Sequence, residues 1–193
     1  MSIVPRIQNI LMSPKTEWPV IAVESASVNS LYTGYIIPLA AIPAICTFIS
    51  FSFFLPFGLT YGLIWAILSY GLGLVATYIM AFIAAKLAPS FNGRDDLIQG
   101  LKLIAYAYTS SWVGGIFTLI PFVGWIGTLA AGIYGLYLLY LGTSPVMGVP
   151  ADKSVIYTIV LIVVAIIVIG IIGAVVGAVV TSVVGVGMIG AMH

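Results

Sequence analysis

Residues 103–151 read LIAYAYTSSWVGGIFTLIPFVGWIGTLAAGIYGLYLLYLGTSPVMGVPA and contain no acidic or basic residue. A helix that crosses a bilayer needs about 20 consecutive, mainly apolar residues. This stretch has room for two, and Pro121-Phe122-Val123-Gly124 divides it into a pair of helices. Working outward, the charges gather in short clusters. Lys86, Arg94, Asp95, Asp96 and Lys102 precede the stretch, and Asp152 and Lys153 follow it. Upstream, Ser25–Ala85 is again uncharged and long enough for a pair, turning at Leu55-Pro56-Phe57-Gly58, and it is preceded by Arg6, Lys15, Glu17 and Glu24. Downstream, Ser154–His193 holds one more span. The chain therefore reads as an all-α integral membrane protein, a bundle of five transmembrane helices at about residues 31–55, 59–85, 97–120, 123–141 and 154–182.

Composition supports this reading. Only 6% of the residues are charged and 62% are hydrophobic, whereas roughly a quarter of a soluble domain is charged. Five spans leave no room for a soluble domain, so the expected organisation is an N-terminal segment, 1–28, and a transmembrane domain, 29–193. The first 25 residues do not read as a secretory signal, because Lys15 and Glu17 interrupt any apolar core. With five spans, all six Lys and Arg fall on one side of the membrane. Lys and Arg near span ends mark the cytoplasmic face. The expected topology is N-terminus inside and C-terminus outside, in a prokaryotic cytoplasmic membrane.

Within the N-terminal segment, Ile3, Val4, Ile7, Ile10 and Leu11 follow the helical period. This predicts a short amphipathic helix lying in the interface, broken by Ser13-Pro14. Thr16 is read as the cap of a second short helix through Glu17-Trp18-Pro19. Trp18, Tyr32, Tyr35, Trp112, Trp125, Tyr137, Tyr140 and Tyr157 read as an interfacial aromatic belt. Pro38 and Pro43 predict a kink in span one, and Gly62, Gly71 and Gly73 permit close contact of span two. Gly142–Lys153, with Pro145, Gly148 and Pro150, reads as a loop. The forty residues from Ser154 exceed a single crossing, and Thr181-Ser182 is the expected stop, followed by a re-entrant or interfacial tail.

No catalytic set emerges. The single histidine is His193, and a Ser/His/Asp triad needs an imidazole held inside the fold. One His and one Cys at unrelated positions do not make a zinc site, and no phosphate-binding glycine loop occurs. The chain is read as no enzyme, with no cofactor, no metal and no nucleic-acid partner. Asp95 and Asp96 are the sharpest polar feature. Either they contact a cation, a basic partner or a lipid headgroup, or one caps span three while the other pairs with Arg94 or Lys102. Lys86 and Lys102 either bind acidic groups or anchor span ends by snorkelling. Glu24 is expected to pair with Lys86 or Lys102. Arg94, Asp95, Asp96 and Lys102, with Asp152 and Lys153, form the expected contact surface for a protein partner or lipid. Gly170, Gly173 and Gly177 with Ala174 and Ala178 offer either a dimer face or a packing face within the chain. No charged residue lies near the middle of a span, where ion-coupled pathways usually place one. Tyr106, Thr109 and Ser110 are the residues of an alternative, in which homo-oligomers form a small channel or transporter. Otherwise these hydroxyls join helices.

Three stretches together carry a resemblance. They are Ser13-Pro14-Lys15-Thr16-Glu17-Trp18-Pro19-Val20-Ile21; Leu103-Ile104-Ala105-Tyr106-Ala107-Tyr108 with Ile120-Pro121; and Tyr134-Gly135-Leu136-Tyr137-Leu138-Leu139-Tyr140-Leu141-Gly142, continuing through Pro145 to Lys153. The chain resembles prokaryotic members of the Yip family of Ypt/Rab-interacting membrane proteins over nearly its whole length. It departs at Ser110 or Ser111, where many relatives place a proline. The resemblance implies a five-span, N-in membrane protein without catalytic residues. Eukaryotic relatives engage Rab GTPases and carry a long cytosolic N-terminal region that residues 1–28 do not match, and Rab binding is not carried over. The expected role is a membrane organiser or adaptor working through its cytoplasmic loops.

Overall fold

A computed structural model of the chain describes residues 2–54, 58–120 and 122–190, with side chains through residue 183. Among these residues every regular element is helical. The elements are α1 (Ile3–Met12), α2 (Pro14–Val23), α3 (Val28–Leu31), α4 (Ile37–Ile49), α5 (Gly58–Leu87), α6 (Leu97–Ala107), α7 (Thr109–Gly114), α8 (Gly124–Met147) and α9 (Ala151–Gly190). Four unbroken helical stretches are long and apolar enough to cross a membrane: Val28–Phe54, Gly58–Phe91, Gly124–Met147 and Ala151–Val183. They turn large apolar side chains outward, such as Ile45, Ile67, Ile133, Ile159 and Ile166. That pattern suits hydrocarbon surroundings and would be costly in water.

The expected third span is not one helix. It is built of α6, α7 and a 3-10 turn at Gly115–Leu119. The Arg94 N–H donates to the Met147 carbonyl at 2.9 Å, so the approach to α6 lies beside the end of α8. From there the three pieces carry the chain to Gly124, where α8 begins. The bend lets Gly115 lie on α4, where a Cβ would come within 2.6 Å of the Pro43 ring. The proline kink in the first long helix takes the form of a π turn at Tyr32–Ile36. There the Ile37 N–H reaches the Tyr32 carbonyl, five residues back. Pro38 cannot donate to Gly34, and the wider turn re-registers the backbone just ahead of it.

Other boundaries move for local reasons. α8 continues through Pro145 to Met147 and stops at Gly148, which has φ +69°. A proline in a last turn leaves few carbonyls unpaired, and glycine takes the left-handed stop at little cost. The expected loop therefore shrinks to Gly148–Pro150. α9 passes Thr181 and Ser182 without breaking, and their hydroxyls are satisfied within the helix, donating back to the Gly177 and Val179 carbonyls. α2 opens at Pro14 with Ser13 as cap residue, and the Thr16 hydroxyl donates to the Ser13 carbonyl. The first turn, Leu55–Phe57, and His193 lie outside the described residues, as does Pro121.

Small residues set the packing. Apolar surface gains little by leaving lipid, so membrane helices associate through close contact. Gly100 of α6 sits under the Ala81 carbonyl of α5, and a Cβ there would lie 2.4 Å from that oxygen. Gly62 packs equally tightly on Ser52, whereas Gly71 and Gly73 face open space. Tyr157 ties α9 to α5 by donating to the Ala84 carbonyl at 2.7 Å.

Candidate functional site: the charged end and its docked hairpin

Helices α1 and α2 do not lie apart from the bundle. They fold against each other and dock on α6, α7 and α8, burying Arg6, Ile10, Glu17, Trp18 and Ile21. The charges decide this arrangement. The Arg6 guanidinium donates to Glu17 and to Glu24, and Asn9 donates to the second Glu17 oxygen at 3.1 Å. Burial alone would lower the pKa of Arg6. The hydrogen bond to Glu24 and the nearby acidic groups outweigh it and hold the pKa above its ordinary value. A buried cation is tolerable only with partners of this kind. Its guanidinium carbon also stands 5.7 Å from the Tyr106 ring centre, within range of a cation–π contact.

Trp18 is 1% exposed, so it is a core anchor and not a belt residue. Its ring meets Tyr106 edge-on at 6.3 Å, and Tyr106 in turn packs on Tyr35 at 4.6 Å. Gly142 leaves the space Trp18 fills, since a Cβ there would come within 2.8 Å of the indole. Tyr35, Trp112 and Tyr157 are buried too, while Trp125, Tyr137 and Tyr140 remain exposed as a belt would have them. The tip of the hairpin reaches Tyr134, whose hydroxyl donates to the Leu11 carbonyl at 2.6 Å. Lys15, also at the tip, lines a small cleft with Tyr134 and Tyr137. Tyr137 lies ten residues before Met147, about 15 Å along α8.

The expected contact residues separate into two groups. Lys102 is 2% exposed, and its ammonium donates to the Ala22 and Glu24 carbonyls at the end of α2. It satisfies carbonyls that the helix leaves open and is closed off from any partner. The Glu24 side chain goes to Arg6, not to Lys86 or Lys102. Asp96 caps α6, accepting from the Ile98 and Gln99 N–H groups at 2.9 and 3.1 Å. Asp95 pairs with Lys86 at 2.6 Å, not with Arg94 or Lys102. Arg94 and Asp95 are exposed, and the Arg94 side chain lies over Gly148. Asp152 is exposed and Lys153 half-buried at the start of α9. Arg94, Asp95, Asp152 and Lys153 thus remain at the surface of one end of the bundle.

The alternative set lies elsewhere. Thr109 is fully buried and shares a 2.7 Å hydrogen bond with Tyr35, joining the first long helix to α7. Ser110 is buried without a hydrogen-bond partner. At Gly170, Gly173 and Gly177 no described atom lies within 4 Å of where a side chain would stand.

The sequence pattern of the Yip1 domain matches residues 9–173. The chain belongs to the Yip1 domain family. It is similar to "Inner membrane protein YohC" of Escherichia coli K12, 27% identical over 165 residues that cover 79% of this chain and 84% of the relative. The protein of the same name from Escherichia coli O6:H1 gives the same figures. No solved structure matches. In this Yip1-domain protein the three resembling stretches meet in space. Trp18 from the first packs between Tyr106 of the second and Gly142 of the third. Sequence names Arg6 and Glu17, the pair that locks this junction, only as members of the first charge cluster, neither as partners nor among the contact residues. Their one visible signal was two opposite charges on short helices otherwise made to bury one face.

Proposed function

We propose that this protein is a non-enzymatic membrane organiser or adaptor of a prokaryotic cytoplasmic membrane, crossing it five times with the N-terminus inside. The observation that carries the reading is the division of charge at one end of the bundle. Arg6, Glu17, Lys102 and Asp96 are consumed in holding the hairpin and the start of α6. Arg94, Asp95, Asp152 and Lys153 are left facing outward. A mixed-sign exposed surface beside the membrane suits a protein partner or the polar part of a lipid. The fifth crossing is the broken α6–α7 stretch, whose helical and 3-10 pieces together measure about 35 Å against a hydrocarbon core of about 30 Å. Concentration of Lys and Arg at the charged end supports its placement in the cytoplasm. An inner-membrane relative supports the location.

The test reverses charge where the structure leaves it exposed, and at Asp95 it also breaks the exposed pair with Lys86. Arg94→Glu with Asp95→Arg and Asp152→Lys spares the Asp96 cap. Crosslinked partners recovered from native membranes should be lost from this variant while its membrane level stays normal. Recovery of the same partners in the same amounts would rule out this surface.

A further inference from the structure

Residues of α5 to α9 and of the end of the first long helix line an open cavity of about 1000 Å³ that reaches the Phe122 turn. Its deep wall is Met80, Ile104 and Leu139, and its mouth carries Phe122 and Trp125, both largely exposed. Two structural facts create the space. The broken α6–α7 stretch bends toward Pro43 at Gly115, and α8 lines the space with Gly132, which has no side chain to fill it. The walls are almost wholly apolar. Water needs two to four polar partners to occupy such a site, and these walls do not provide them in its depth. Along α8 the cavity runs from Trp125 to Leu139, about 20 Å. One leaflet's hydrocarbon is about 15 Å thick, half of a core of about 30 Å.

We propose that this cavity holds the acyl chain of a bilayer lipid from the leaflet opposite the charged end. The tail enters past Trp125, a residue type that favours the headgroup layer, and ends against Met80 and Leu139. Recognition is of the tail and not of the headgroup. No Lys, Arg, Asp or Glu occurs between Lys102 and Asp152, so the mouth offers no charge to an anionic or zwitterionic head. The site is separate from the charged surface, and its place in the opposite leaflet rests on the proposed crossing of the broken α6–α7 stretch.

The experiment uses the full-length protein in vesicles containing phosphatidylethanolamine or phosphatidylglycerol with a diazirine near the end of one tail. After illumination, the attached lipid is mapped by peptide mass spectrometry. Label should concentrate on peptides bearing Met80, Leu139 and Ile162, equally for both headgroups. Gly132→Phe should abolish that labelling, because Gly132 lines the cavity and no described protein atom lies within 4 Å of where its side chain would start. Gly71→Phe, on an open face of α5, should leave it unchanged. Label spread evenly over the outward faces of α9, unaffected by Gly132→Phe, would mean ordinary solvation by bulk lipid and overturn the proposal. Strong preference for one headgroup would overturn tail recognition. Should Gly132→Phe fail to insert, the distribution of label along the unaltered chain still decides between a seated tail and bulk lipid.

Discussion

Arg6 illustrates how a single residue ties a surface-like segment into a membrane fold. Its charge is buried with Glu17, and both side chains are less than a tenth exposed. Removing one member of a buried pair leaves the other charged in a poor medium, a loss of about 3–5 kcal/mol. Replacing both with apolar residues of similar volume is often neutral. Arg6→Leu should therefore free the hairpin, seen as a red shift in Trp18 emission in a variant lacking the other tryptophans and as earlier thermal unfolding in detergent. Arg6→Leu with Glu17→Leu should recover most of that loss. If the double variant were no better than the single one, the pair would be serving something other than docking.

Among the elements, the glycines divide by what faces them. Gly100 has a backbone carbonyl where its side chain would be, so α5 and α6 would have to part to admit one. Gly100→Ala should cost about 1–3 kcal/mol, the usual penalty for overfilling a packed contact. Gly173 has nothing near it, and an exposed helical Gly→Ala change gains roughly 0.5–1 kcal/mol. Unfolding of the detergent-solubilised monomer should thus move in opposite directions for the two variants. Sequence spacing could find both glycines but not this difference. A small residue allows close approach, and only the position of a neighbour shows whether it is used. The same limit explains the split third span. Leu103–Ile120 is as free of charge as its neighbours, and only the structure shows its broken path lying against Pro43 at Gly115.

At the scale of the molecule, the proposed five crossings put the Arg94 loop and the Phe122 turn on opposite faces. In a Cys46→Ser background, Arg94→Cys should resist a membrane-impermeant maleimide in intact cells and react in inverted vesicles. Phe122→Cys should behave in the reverse way. Labelling of both from the same side would mean that α6 and α7 do not cross, leaving the four unbroken helices as the only spans. The candidate site was half legible at this scale. Clustering of charge at 86–102 and 152–153 was plain in the chain, but which charges remain free was not. Lys102 and Arg94 carry the same charge in the same cluster, yet one is sealed beneath α2 and the other lies open.

The sequence by itself determined the class of molecule, the long helices and the separation of charged from apolar segments. These follow from composition and from the length a bilayer demands, which act locally along the chain. Tertiary structure alone decided that the N-terminal helices dock, that Trp18 anchors instead of floating at the interface, and that α8 and α9 leave a cavity behind the broken helix. Each depends on contacts between residues far apart in sequence, such as Tyr134 with Leu11 or Tyr35 with Thr109. Their energies exist only once the partners are brought together.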